Sequence, residues 1–208
     1  MKVLIVSKTK MSNSVCIGAI ARTGQSLRLD ENQEYQVGQV WDIDYTPIAE
    51  TKPPHTEDVK VCRKEYIKKI PVEKQIKSID LLMPPSTGSP QNLYDGYLQS
   101  KDDGRRALYI AKLSGVPDYS TTFWRPDNPL AYRTEEDLYG MRYNMDRLRI
   151  FYEYTNENGR CTLPFVGFQE PISIIPAHTL IRISLARWWR KNNSTEERCY
   201  AQLSGWYI

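Results

Sequence analysis

Along most of this chain apolar and polar positions alternate with the two-residue period of half-buried strands, interrupted in the middle by a short stretch of helical period. Val3-Leu4-Ile5-Val6 is a continuous apolar run, residues 15–20 form a second and residues 26–29 a third, parted by polar residues 8–14 and the turn Thr23-Gly24-Gln25. A three-stranded meander is the economical reading. Trp41, Ile43 and Tyr45 then alternate with Asp42 and Asp44, and Val59 and Val61 flank Lys60, which predicts two more strands with one buried and one hydrated face each. Five short strands with little helix among them can close into a small barrel filled by side chains.

The middle reads differently. Val72, Ile76, Ile79 and Met83 share one helical face, Pro71 suits a first turn and Pro84-Pro85 ends the pattern. Ser89-Pro90 with Leu93 and Tyr97 predicts a second helix capped by Ser89. Residues 108–113 return to a strand-like run. Residues 114–145, with Gly115, Pro117, Pro126 and Pro129, read as a long loop of the kind that often carries function.

In the last third Leu148, Ile150, Tyr152 and Tyr154 alternate with Arg147, Arg149, Phe151 and Glu153. Asn158-Gly159 supplies a turn, and residues 161–168 make the return strand, with Pro164 placing it at an edge or bulge. Residues 179–190 fit both periods, and their β-branched start favours a strand. Residues 199–208 are apolar to the end and predict a paired final strand.

Composition sharpens this picture in two ways. Of 208 residues 11% are aromatic, including 14 Tyr and 5 Trp, so the core leans on large amphipathic rings. The net charge is only +3, so attraction to a polyanion must come from a local patch. No run approaches the ~18 apolar residues of a membrane span, and the opening run is too short for a signal-peptide core, which predicts a soluble cytoplasmic protein. Cys16, Cys62, Cys161 and Cys199 lie far apart in strand-like segments, and are expected to be reduced, buried thiols with no metal site.

The best candidate for catalysis is His55 in Pro53-Pro54-His55-Thr56-Glu57-Asp58, where an imidazole lies close in sequence to carboxylates. The plainer reading is a rigid turn in which His55 and Asp58 bond to backbone. His178 reads as a loop residue, and neither a nucleophile elbow nor a glycine-rich phosphate loop is present. Binding has better material. Only three arginines precede residue 100 and twelve follow it, and residues 142–191 hold eight basic residues against four acidic ones. They are interleaved with rings. Guanidinium grips phosphate bidentately and aromatic faces take unstacked bases. Arg147, Arg149, Arg187 and Arg190 are the candidate phosphate contacts, with Tyr152, Trp188 and the Trp124-Arg125 pair as stacking faces. Solvation of a sheet by Arg147 and Arg149, and core roles for Trp124 and one of Trp188 and Trp189, are the alternatives.

Several segments together resemble one family. Residues 2–10, Val15-Cys16-Ile17-Gly18-Ala19-Ile20, Thr23-Gly24-Gln25-Ser26-Leu27-Arg28-Leu29, Gly38-Gln39-Val40-Trp41-Asp42-Ile43, residues 53–59, residues 180–187 and residues 199–207 are similar to the prokaryotic dual OB-containing domain family. The resemblance implies two OB-like barrels in tandem, nucleic-acid binding, and a place near prokaryotic defence or mobile-element systems. It brings no catalytic set, and residues 71–145 stay largely unmatched. The chain is therefore expected to be mainly β, with a first OB-like barrel at residues 1–70, a short helical insert at 71–104 and a second barrel at 105–208. The expected function is non-catalytic binding of RNA or single-stranded DNA without a cofactor. A protein-interaction module, and a hydrolase or nuclease centred on His55, are the rival readings.

Overall fold

The computed structural model describes residues 1–11, 14–29, 34–100, 106–136, 148–190 and 195–208. Lys2–Met11 (β1), Ser14–Ala21 (β2), Ser26–Leu29 (β3), Gln39–Pro47 (β4) and Val59–Lys69 (β5) form an antiparallel sheet in the order β3-β2-β1-β4-β5. A parallel bridge from Arg28 to Asp58, with the Arg28 N–H on Glu57 O at 2.8 Å, brings β3 against the entry to β5 and closes the barrel. Val3, Ile5, Ile17, Leu27 and Ile43 fill its interior. Leu4 and Val6, on the opposite face of β1, are buried too. The uninterrupted apolar run thus marks a strand covered on both sides.

That outer cover is Val72–Leu82 (α1), the helix predicted from the spacing at 72–83. Ile79 is fully buried and packs with Leu4, Val6 and Ile20 of the first barrel and Phe123, Leu180 and Tyr207 of the second half. The predicted second helix is instead two 3-10 turns, Pro90–Asn92 and Tyr94–Gly96, because Asp95 takes a left-handed backbone that an α-helix cannot continue. Around these turns lie Ser86–Gly88 (β6) and Gln99–Ser100 (β7).

The second half continues with Leu108–Ala111 (β8), Thr121–Pro126 (β9), Leu130–Glu136 (β10), Leu148–Asn156 (β11), Gly159–Pro164 (β12), Ile174–Ile175 (β13), Leu180–Leu185 (β14), Trp189–Arg190 (β15) and Glu197–Tyr207 (β16). One sheet runs β6-β9-β14-β16-β8-β7 with β15 on β16; the other runs β12-β11-β10-β13. Leu130, Tyr152, Leu163, Ile181, Ile183 and Leu203 belong to the core they share. Parallel bridges Ala107 to Thr162 and Phe165 to Leu203 tie the two sheets together. β9 and β10 correct the expectation of a loop over 114–145: Thr121-Thr122-Phe123-Trp124 is a strand-forming run, and Pro126 ends that strand instead of preventing it. The hairpin turn at Gly159 is as predicted, but its return strand β12 ends at the edge-strand Pro164 and does not run on to 168. The thiols differ from expectation, since Cys161 and Cys199 are buried while Cys16 is half-buried and Cys62 exposed.

Candidate nucleic-acid interface

The sequence-predicted residues separate into three groups. Trp124 and Tyr152 are core residues, each 0% exposed, and cannot offer a stacking face. Trp124 Nε1–H donates to Gly88 O at 2.8 Å and its ring packs against Tyr154; the Tyr152 hydroxyl donates to Ile172 O at 2.8 Å. Arg125 is a strut, with Nη2 on both carboxylate oxygens of Asp80 at 2.9 and 3.0 Å and Nη1 on His178 O at 3.0 Å. Arg149 lies on β11 directly across from Glu135, on a different sheet from Arg190. Arg147 falls outside the described residues.

The third group does converge. Arg187, Trp188 and Arg190 lie on one short ribbon laid against β16, where Trp189 pairs with Arg198 and Arg190 with Glu197. Trp188 is half-buried, its Nε1–H donating to Pro53 O at 3.1 Å, and Lys112 Nζ lies 5.7 Å from the centre of its ring. Lys112 also meets Glu197 at 2.5 Å. Trp189, which was not among the predicted stacking faces, is 49% exposed with its ring 6.2 Å from Tyr200. Behind it Arg198 stacks 4.2 Å over Tyr109 and is paired with Glu196. The surface therefore offers an open indole beside exposed guanidiniums, mixed with carboxylates. The wider convergence of C-terminal arginines does not occur: besides Arg125 and Arg198, Arg133 and Arg160 share Glu153, and Arg187 pairs with Asp58.

His55 and Asp58 lie beneath this ribbon, between the two halves. His55 is 3% exposed, with Nε2 3.2 Å from Ala186 O and 3.9 Å from Cys199 Sγ. Glu57 accepts the Ser120 N–H at 3.0 Å and the Ser120 hydroxyl, while Asp58 pairs with Arg187 and, at 3.7 Å, with Arg28. The carboxylates thus face Ser120, Arg187 and Arg28, and the imidazole is buried. Among the described residues no group of three His, Cys, Asp or Glu side chains is placed to hold a metal ion, and no helix is long and apolar enough to cross a membrane. Burial pushes the Cys161 and Cys199 thiols up to about 12, which keeps them protonated and unreactive.

Burial, then the nearby Arg187 and Arg28, hold His55 down to about 4 from an ordinary 6.5. Above pH 6.5 neither folded nor unfolded chain protonates this ring. Between pH 6.5 and about 4 only the unfolded chain does, so stability falls with pH across that window and levels below it. The loss is expected to be on the order of 3 kcal/mol, read by urea unfolding at pH 7 and pH 4.5. His55→Gln should lack this component; an identical pH slope in the variant would assign it to other groups.

A closed five-stranded barrel followed by a second mainly β half, with the helix packed where they meet, is the architecture of OB-like barrels in tandem. The dual OB-containing domain model matches residues 1–206, and the chain belongs to that family. No curated protein matches it. Among solved structures, a murine DNA-binding protein determined with double-stranded DNA is similar at 9% identity with a TM-score of 0.31, over 98% of this chain and 91% of that one. That likeness is too slight to carry a functional inference.

Proposed function

We propose that this protein is a non-catalytic nucleic-acid-binding module for RNA or single-stranded DNA, and that the ribbon of Arg187, Trp188, Trp189 and Arg190 is its docking surface. The observation that carries this reading is the half-exposed Trp189 indole next to Arg190, with Arg187 on the same ribbon and Lys112 reaching over the Trp188 ring from the end of β8. An open ring takes an unstacked base and the adjoining cations take phosphates, a combination that suits single strands better than duplex. The family resemblance adds a prokaryotic defence or mobile-element setting. In this reading a first barrel at 1–70 and a second at 105–208 are joined through residues 71–104.

The protein-interaction reading gains from the ion-paired arginines, and among the described residues the exposed apolar side chains are dispersed along the chain. Exposed large apolar side chains such as Tyr66, Leu81, Leu113, Phe168 and Ile174 lie on separate elements. Fluorescence anisotropy with single-stranded RNA, single-stranded DNA and duplex DNA, each across a salt series, tests the proposal. Three phosphate-contacting cations predict a log–log salt slope of about −2 for single strands. Affinity that stays flat with salt, or strict preference for duplex, would contradict it.

A further inference from the structure

The docking ribbon has little of its own to hold it in shape. β15 is two residues long and joins β16 through Trp189 and Arg190, and pairing that short is weak by itself. Ala186, Arg187 and Trp188 lie between β14 and β15, in neither strand. Each of these three residues meets the segment 53–58 of the first barrel. Ala186 O lies 3.2 Å from His55 Nε2, Arg187 Nη2 donates to Asp58 Oδ2, and the Trp188 indole N–H reaches Pro53 O at 3.1 Å. Consecutive contacts of this kind make the path of the ribbon a property of both halves of the molecule.

The segment is itself well anchored. Thr56 Oγ1 donates to Asp118 O at 2.5 Å, Glu57 O accepts the Arg28 N–H at 2.8 Å, and Asp58 O accepts the Ile48 N–H at 3.3 Å. The Asp58 carboxylate, its side chain 14% exposed, stands between two guanidiniums, with Oδ2 on Arg187 and Oδ1 3.7 Å from Arg28 Nη1. These two cations differ in reach. Arg28 sits on β3 with its side chain mostly covered, whereas the Arg187 side chain is 45% exposed. A guanidinium is a planar fork of N–H donors, so a carboxylate that holds it at Nη2 fixes the plane while the exposed edge keeps facing solvent. An arginine already aimed in the free protein loses less rotamer freedom when a ligand arrives.

We propose that Asp58 is a positioning residue for the docking surface: by holding Arg187 it fixes the ribbon that displays Trp189 and Arg190, so the first barrel preorganises a binding face carried by the second half. The inference rests on the nucleic-acid reading above and assigns to that surface what keeps it in shape. Its signature is one of sign. A carboxylate beside a polyanion site repels the ligand, so the field alone predicts tighter binding once Asp58 is removed. Positioning predicts weaker binding when the oxygen that holds Arg187 is lost.

Fluorescence anisotropy of the full chain with a single-stranded RNA and a single-stranded DNA of the same sequence, at fixed salt, tests this. Asp58→Ala should weaken binding by about fivefold or more. Asp58→Asn keeps an acceptor for Arg187 and sheds the charge, and should restore affinity to within about twofold of the unaltered chain. In an Arg187→Ala background Asp58→Ala should change affinity by less than about twofold, because its route to the ligand is gone. In the free protein, hydrogen exchange at amides 186–190 should be about tenfold faster in Asp58→Ala, with exchange in β1 and β11 unchanged. Asp58→Ser gives the same readings should the alanine variant fail to fold. Unchanged or tighter binding by Asp58→Ala, equal losses in the alanine and asparagine variants, or additive losses in the double variant overturns the inference and leaves the ribbon as docking surface. Absence of strand binding by the unaltered chain fails the ribbon reading instead. Hydrogen exchange then decides alone whether Asp58 fixes the ribbon, and equal rates overturn that as well.

Discussion

Replacing Arg182 with alanine is expected to lower the melting temperature by roughly 4–20 °C. Arg182 is 4% exposed on β14, on the face that meets the first barrel. Its guanidinium lies against Gly18 of β2, where a Cβ would come within 2.5 Å of Nη2 and of the Ser7 hydroxyl. Glu57, Tyr94 and Tyr207 supply its electrostatic surroundings, and desolvation still pulls its pKa below the ordinary value. Truncation would open a cavity at the junction of the halves and remove a positive charge whose field reaches the Glu57 carboxylate, 6% exposed, without a salt bridge between them. Emptying a buried volume of that size costs about 2–5 kcal/mol. Arg182→Met keeps most of the volume and removes the charge. In a cycle with Glu57→Gln it should show about 0.5–3 kcal/mol of coupling by urea unfolding. Additive single and double variants would reduce Arg182 to packing and remove charge pairing from the account of how the barrels hold together.

The strands of the first barrel were legible because each follows one period: Trp41 and Ile43 point inward and Asp42 outward, and the run at 3–6 has no polar break because both faces are covered. α1 was legible for the same reason, from four apolar positions between prolines. β9 and β10 were not, since Pro126 and Pro129 outweighed a run of β-branched and aromatic residues that sheet pairing with β14 and β11 stabilises. Tyr152 illustrates a signal present but unused. Its own alternation with Ile150 and Tyr154 places it on the inner face of β11, incompatible with base stacking. Arg182 alternates with Ile181 and Ile183 and so reads as a solvated residue, because nothing in the local sequence announces that Gly18 of the first barrel stands opposite it. The site was legible only where it is local. Arg187, Trp188 and Arg190 are neighbours in the chain, whereas Lys112, Pro53 and Asp58 reach them through tertiary contacts that a single sequence does not encode visibly.

Removing the ring and the charge of the ribbon separately should have different signatures. Trp189→Ala is expected to weaken single-strand binding by about 5- to 160-fold at fixed salt, the effect of one lost base–indole stack of ~1–3 kcal/mol, while leaving the salt slope unchanged. Arg190→Gln should lower affinity less at high salt than at low salt and make the slope shallower by about 0.7, the share of one phosphate contact on a single strand. Both side chains are exposed, so neither change should move stability by more than about 0.5 kcal/mol. Tyr66→Ala is the control: Tyr66 is an equally exposed ring, 50% accessible, but on β5 of the first barrel, edge to face with Trp41. It should leave binding unaltered if the ribbon alone docks the strand. Loss of affinity in Tyr66→Ala equal to that in Trp189→Ala would extend the docking surface across both barrels, and loss in Tyr66→Ala with none in Trp189→Ala would move it to the first.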